Sequence, residues 1–268
     1  MANLIPVGDL NSPELAVYWR LTENQLKNRL DPEKGLFIAQ TGKVISIALE
    51  KGWEPVSVLA EEEGLSQESR QVLEKIGEVP VYVSSREKLQ KLTGFSLTRG
   101  ILCAMRRKKP TDPREILKSS RRIAVLDGVV DATNVGAILR SAAALSMDGV
   151  ILSSTCCDPL NRRAVRVSMG TVFQIPWAVA DREGLLDLLH REGFRVCAMA
   201  LREDTLSIDD PRLKEQEKLA ILLGSEGWGL GEDQLSGCDY TVKIPMGHGV
   251  DSLNVAAASA VAFWQLGR

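Results

Sequence analysis

The sequence predicts an α/β protein built in two parts, and three observations carry that reading. At 268 residues the chain exceeds the ~100–200 residues of a typical single domain. Short apolar runs alternate with helical patterns along most of its length. The alternation breaks once, at Lys109-Pro110-Thr111-Asp112-Pro113, where prolines and charges replace apolar periodicity.

The first part starts at Ser12-Pro13-Glu14, a helix-start signal with a capping serine and proline at the first helical position. Leu36–Ala39, Val56–Leu59, Pro80–Val83 and Gly100–Met105 are strand candidates. Helical patterns at Gly42–Lys51, Ser66–Ile76 and Ser85–Leu92 fall between them. This is a small αβα sandwich over residues 1–105. Residues 106–120 read as a linker, with the domain boundary inside it. From residue 121 to the C-terminus the alternation restarts with longer apolar runs: Ile123–Leu126, Gly149–Leu152, Val172–Pro176, Arg195–Leu201, Leu219–Gly224 and Tyr240–Pro245. Helices are expected near Asn134–Leu145, Arg162–Met169, Glu183–His190, Glu232–Leu235 and Leu253–Leu266. Strands separated by helices imply a parallel sheet covered on both faces, with any ligand beyond the carboxyl ends of the strands.

Composition excludes several classes. No apolar run reaches the ~18–20 residues of a membrane span, and the N-terminus lacks the basic start and apolar core of a signal peptide; the expectation is a cytoplasmic protein. Five cysteines without a C-x-x-C pair, and two distant histidines, His190 and His248, give neither a disulfide framework nor a metal site. Cys156-Cys157 read as two ordinary thiols beside a loop. The net charge of −2 conceals a division: residues 1–122 hold 20 Lys+Arg against 16 Asp+Glu, residues 123–268 hold 13 against 19. The basic run Arg106-Arg107-Lys108-Lys109 fits a solvated linker and a phosphate contact equally well.

Three post-strand loops are unusual. Asp131-Ala132-Thr133-Asn134-Val135-Gly136 leads into a small-residue helix in which Arg140 is the exception; Asn134 reads as its cap. Leu223-Gly224-Ser225-Glu226-Gly227-Trp228-Gly229-Leu230-Gly231 runs from a buried strand into four glycines, which demands a sharp turn or close approach. It matches neither a dinucleotide fingerprint nor a hydrolase elbow. Glu226 there is either idle or a receptor for donors on a ligand. Ile244-Pro245-Met246-Gly247-His248-Gly249-Val250-Asp251-Ser252-Leu253-Asn254-Val255 precedes an alanine-rich helix, with Ser252 or Asn254 available as cap. A tightly seated helix opening on a glycine loop suits a small-ligand site.

Together the loops resemble the three signature motifs of the SpoU/TrmH family of SPOUT methyltransferases. The first is similar in Asn134, Gly136, Arg140 and Ala142, and the second in Gly224, Glu226 and Gly229. The third is similar in Ile244-Pro245-Met246, Gly249, Ser252-Leu253-Asn254-Val255 and Ala258. Asn161–Gly170 also looks like a recurring family segment. Asp131-Ala132-Thr133, His248 and Asp251 depart from the usual pattern and leave the substrate subclass open. The resemblance implies a deep trefoil knot, a rare exception to unknotted chains. It also implies a homodimer that completes the active site, and S-adenosylmethionine bound around Leu201, Gly224, Ile244, Met246, Ser252 and Leu253. Residues 1–105 resemble the L30e-like RNA-binding domain that often precedes the knot.

The implied activity is methylation of a ribose 2′-hydroxyl in structured RNA, with ribosomal RNA favoured over transfer RNA. Arg140, Asn134, Glu226 and Asn254 are the implied catalytic residues, the two asparagines orienting Arg140. A non-catalytic RNA-binding protein on the same fold and a nucleotide-dependent oxidoreductase are the rival readings.

Overall fold

The computed structural model describes residues 3–28, 30–93, 100–202 and 205–267. The chain forms two compact units. One comprises Met1–Lys109 and Leu160–Phe173, the other Pro110–Pro159 and Gln174–Arg268.

The first unit holds a five-stranded sheet of β1 (Asn3–Pro6), β2 (Leu36–Gln40), β3 (Pro55–Glu61), β4 (Pro80–Ser84) and β5 (Ile101–Arg106), in the order β1-β4-β3-β5-β2. β1 and β3 run parallel to β4, and β5 runs antiparallel to β2 and β3. Leu15, Tyr18, Ile38, Leu59, Leu89 and Leu102 fill one side. The Tyr18 hydroxyl, wholly buried, shares a 2.7 Å hydrogen bond with Ser57 Oγ, which removes the cost of an unpaired buried hydroxyl. Polar caps set the helix starts: Thr22 accepts from Gln25 N, and Ser66 from Ser69 N.

Leu160–Phe173 belongs to this unit although 50 residues of the other precede it. Asn161 caps the helix Arg162–Val167, which lies against β2. Arg162 Nη2 donates to Tyr18 O at 2.9 Å. Phe173 completes an aromatic cluster, its centroid 5.6 Å from Phe37 and 5.3 Å from Trp53. Sequence reasoning assigned this segment to the C-terminal part and read Val172–Pro176 as a strand. The structure instead has a 3-10 turn at Thr171–Phe173, with the strand at Trp177–Ala180. Val172 and Phe173 are apolar because they fill the first unit's core, and Pro176 interrupts the run before the sheet resumes.

The second unit is a seven-stranded, wholly parallel sheet. Its strands are β6 (Arg122–Leu126), β7 (Gly149–Ser153), β8 (Trp177–Ala180), β9 (Arg195–Met199), β10 (Leu206–Ser207), β11 (Leu219–Leu223) and β12 (Tyr240–Lys243). They lie in the order β10-β12-β9-β11-β6-β7-β8. β7 and β11 are buried at every residue, as strands covered on both faces must be. The helix Val255–Leu266 packs on the helix Ala132–Ala144, close because both faces are rich in alanine.

The span 106–120, read as a linker, is partly ordered secondary structure. Arg106 ends β5 and Pro113–Ser119 is a helix, with the Asp112 side chain accepting from Arg114 N and with Ile116 and Leu117 buried. Two adjacent apolar residues in a two-turn helix show no period to detect. The very short β1 and β10 escaped sequence reasoning for the same reason. The five cysteines are free thiols. Among the described residues no helix is long and apolar enough to cross a membrane, and no cluster of three or more His, Cys, Asp or Glu side chains is placed to hold a metal ion.

Candidate functional site

Because all strands of the second sheet are parallel, the loops after β6, β9, β11 and β12 leave from one edge, and a cavity of about 560 Å³ lies between those after β9, β11 and β12. Leu201 enters it from the end of β9, Gly224 from the end of β11, and Ile244, Met246, Ser252 and Leu253 from the loop after β12. The six residues named from sequence as cofactor-binding thus meet on one set of walls. Glu226 and Asn254 line it too. Ala258, named in the third motif, lines it as well; Met199 and Trp228 also line it and were not singled out, and their positions at a strand end and at a glycine-loop tip were the available signal.

Gly224 is glycine for a local reason. A Cβ there would stand 2.5 Å from the Gly229 carbonyl carbon and 2.7 Å from Leu230 N, closer than any side chain permits. The chain doubles back at this point: Ser225 N donates to Gly229 O and Gly229 N to Ser225 O, each at 3.1 Å, with Gly229 at φ +65, a region open to glycine at no steric cost.

The three loops are joined by a hydrogen-bond relay. Asn254 Nδ2 donates to Asn134 Oδ1 at 3.1 Å, and Asn134 Nδ2 donates to Glu226 Oε1 at 2.9 Å. Backbone N–H groups of Val130 and Asp131 donate to the two Glu226 oxygens at 3.3 and 3.2 Å. Partial burial pushes the Glu226 carboxyl upward, but the bonds from Asn134, Asp131 and Val130 outweigh it and hold the group below its ordinary value, ionised at neutral pH. Glu226 is therefore neither idle nor empty: in-chain donors occupy it.

Two sequence expectations change here. Asp131, not Asn134, caps the helix Ala132–Ala144, its carboxylate accepting from Thr133 N at 2.7 Å. Asn134 lies inside the helix, 8% exposed, facing the other loops. Asn254 is the cap of the last helix, its Oδ1 accepting from Ala256 N and Ala257 N, so Ser252 is not. Secondly, within one chain neither asparagine hydrogen-bonds to Arg140. Six residues separate Arg140 from Asn134, which sets them about 120° apart around the helix and roughly 9 Å along it. Arg140 is exposed, lies outside the cavity wall, and its side chain makes no hydrogen bond or ion pair with the described residues.

Sequence reasoning also missed a brace beneath the loops. Arg182, just after β8, reaches Asp127 after β6 at 3.0 Å and Asp233 at 3.1 Å. Asp127 is buried, and Asp233 sits in the helix Glu232–Ser236 that follows the glycine loop. One guanidinium thus ties the helix that follows the glycine loop to the end of β6.

A model of the SpoU rRNA Methylase family matches residues 121–264, a span that holds all three loops. The chain is 36% identical over 261 residues to an uncharacterized tRNA/rRNA methyltransferase of Mycobacterium bovis, covering 97% of this chain and 90% of that one. It is 30% identical over 154 residues to the 23S rRNA (guanosine(2553)-2′-O)-methyltransferase of Bacillus subtilis, 58% of this chain and 61% of that one. In fold it is similar to an AdoMet-bound rRNA methyltransferase from Sinorhizobium meliloti, with a TM-score of 0.82 at 24% identity over 98% and 97% of the two chains. It is also similar to the SpoU methyltransferase AviRb from Streptomyces viridochromogenes in complex with AdoMet, with a TM-score of 0.79 at 23% identity over 95% and 97%. With more than half its length matched by the family model and nearly all of it aligned to the mycobacterial relative, the chain belongs to the SpoU rRNA methylase family.

Proposed function

We propose that the protein methylates a ribose 2′-hydroxyl in structured RNA, ribosomal RNA before transfer RNA, using S-adenosylmethionine, as a cytoplasmic homodimer. The observation that carries this reading is the Asn254–Asn134–Glu226 relay, which joins the first motif to the two motif loops that line the cavity. The name of the Bacillus relative supports the 2′-oxygen and ribosomal RNA, and the titles of the AdoMet-bound structures support the cofactor.

The cavity fits that cofactor in size and chemistry. Its volume falls in the range of small-molecule sites, and apolar Leu201, Met246 and Leu253 alternate with main-chain groups at Gly224 and Ile244 and the Ser252 hydroxyl. S-adenosylmethionine supplies an electrophilic methyl group on a sulfonium centre. Backbone groups at Leu201, Gly224, Ile244, Met246 and Leu253, with Ser252, hold it, and the ionised Glu226 places negative charge on the same wall. Asn134 and Asn254 act as positioning residues that keep the second and third loops in register.

Arg140 serves the nucleophile. A guanidinium stays protonated at any working pH, so Arg140 donates to the developing 2′-oxyanion and the neighbouring phosphate while the proton passes to water. Its place outside the cavity of its own chain favours a role toward a second copy. The last helix leaves Ala257, Val261 and Trp264 exposed along one stripe, a self-complementary surface for a symmetric pair. The fold likeness supports a knotted path for the C-terminal residues. The mixed sheet of the first unit supports the L30e-like, RNA-binding role proposed for it.

The test is methyl transfer from labelled S-adenosylmethionine to RNA lacking the modification, followed by alkaline hydrolysis. A 2′-O-methyl group leaves the adjacent phosphodiester resistant to alkali, so label in an alkali-stable dinucleotide is expected. Label recovered on a base, or no transfer to any RNA, overturns the reading.

A further inference from the structure

Trp228 is the most exposed aromatic ring among the described residues, 96% open to solvent at the tip of the glycine loop. Its frame is braced on every side. Trp228 N donates to Ser225 Oγ at 3.3 Å, Ser225 Oγ to Gly229 O at 3.1 Å, and the paired bonds between Ser225 and Gly229 close the turn. Glu226, two residues earlier, is fixed by Asn134, Val130 and Asp131. The indole nevertheless lines the same cavity as Leu201, Met246 and Leu253. A large ring held on a rigid turn at the rim of the cavity keeps its face free for a ligand.

The geometry of 2′-O-transfer says which ligand. The attacking oxygen must come within about 3–3.5 Å of the methyl carbon, and the ribose carbon that bears it is bonded to the carbon that bears the base. The base of the target nucleotide therefore stands within one sugar's width of the cavity. An unpaired nucleotide brought this close to the cavity can be held on an aromatic side chain, as the unstacked bases of single-stranded RNA are.

We propose that Trp228 is the stacking platform for the nucleobase of the target nucleotide, and that it selects unpaired nucleotides. Its role rests on reading the cavity as that of an RNA 2′-O-methyltransferase. Every base has a π-face, so the indole discriminates stacked from unstacked targets more than one base from another.

The experiment compares wild type, Trp228→Ala and Trp228→Phe in methyl transfer to total RNA from cells lacking the gene. Calorimetric titration with S-adenosylhomocysteine and sedimentation of each variant accompany it. Trp228→Ala should raise KM for RNA about tenfold or more, Trp228→Phe should restore most of the loss, and S-adenosylhomocysteine affinity and oligomeric state should stay within twofold of wild type. An unchanged KM in Trp228→Ala overturns the role. So does a parallel loss of S-adenosylhomocysteine affinity, which assigns the ring to the cofactor, or a weakened dimer at unchanged KM, which assigns it to a second copy. Failure of the wild-type protein to methylate any RNA overturns the parent reading and this role together, whereas the other failures leave the parent reading standing.

Discussion

Asn254 and Asn134, 120 residues apart in sequence, join the helix Val255–Leu266 to the helix Ala132–Ala144 through a single 3.1 Å amide bond. Each asparagine is then used twice, Asn254 as a helix cap and Asn134 as the donor to Glu226. Asn134→Ala would leave Asn254 Nδ2 without its partner and remove one of the two donors to Glu226 Oε1. The expected result is a loss of about 1–3 kcal/mol of stability together with weaker S-adenosylhomocysteine binding. Urea unfolding and calorimetry read the two; a variant as stable and as tight-binding as wild type removes the relay from the account.

Glu226 gives the relay a pH dependence. Its folded carboxyl lies below the ordinary value of 4.5, so the stabilisation is complete above that value and fades as pH falls through the lower, folded one. Thermal unfolding should therefore lose stability more steeply below pH 4.5 in wild type than in Glu226→Gln, and identical acid profiles would contradict this.

For Arg140, exposure separates chemistry from folding. Arg140→Ala and Arg140→Lys should both keep the wild-type melting temperature and S-adenosylhomocysteine affinity. Methyl transfer should fall a hundredfold or more, the cost of one transition-state contact of ~2.7–4 kcal/mol; lysine keeps the charge but loses the planar fork. An active Arg140→Ala protein ends the proposed role.

The apolar stripe on the last helix should be the dimer contact. Trp264, 59% exposed, is its largest member, and Trp264→Glu would place a charge at the centre of that surface. Sedimentation at micromolar concentration should show a dimer for wild type and a monomer for the variant. A dimeric Trp264→Glu protein moves the interface elsewhere.

Phe173 should behave as a core residue of the first unit. Phe173→Ala is expected to cost about 3–5 kcal/mol by opening the cluster with Phe37 and Trp53, seen as a lower denaturant midpoint. The basic run nearby is less free than its charge suggests. Arg107 Nε donates to Leu36 O, Lys108 Nζ to Lys51 O while lying over Trp53, and Lys109 pairs with Glu33 at 3.5 Å. Replacing all four basic residues should therefore lower stability as well as any salt dependence of RNA binding.

Where a feature repeats with the period of its element, the sequence showed it. The strands β6, β7, β9 and β11 are largely continuous apolar runs because both faces of a parallel sheet are covered, and the three loops stood out through their glycines and lone charges. What stayed hidden depends on distance in the chain. Nothing near Asn134 announces that its amide meets Asn254 and Glu226, so it looked like a cap, a task that Asp131 performs. Nothing near Arg182 announces its two carboxylate partners. Val172 and Phe173 looked like a strand because apolar residues signal burial without naming the core that receives them.

That last segment also bears on how the protein is made. The first unit lacks Arg162, Val165 and Phe173 until residue 173 has been added, 64 residues after Lys109. At synthesis rates of about 5–20 residues per second this delay is roughly 3–13 s, long compared with the collapse of a chain this size. During that interval the groove on β2 and the edges of Phe37 and Trp53 stand open on the nascent chain. The first unit thus cannot close its core on the residues up to Lys109 alone, and a ribosome stalled between residues 110 and 160 would carry that core incomplete.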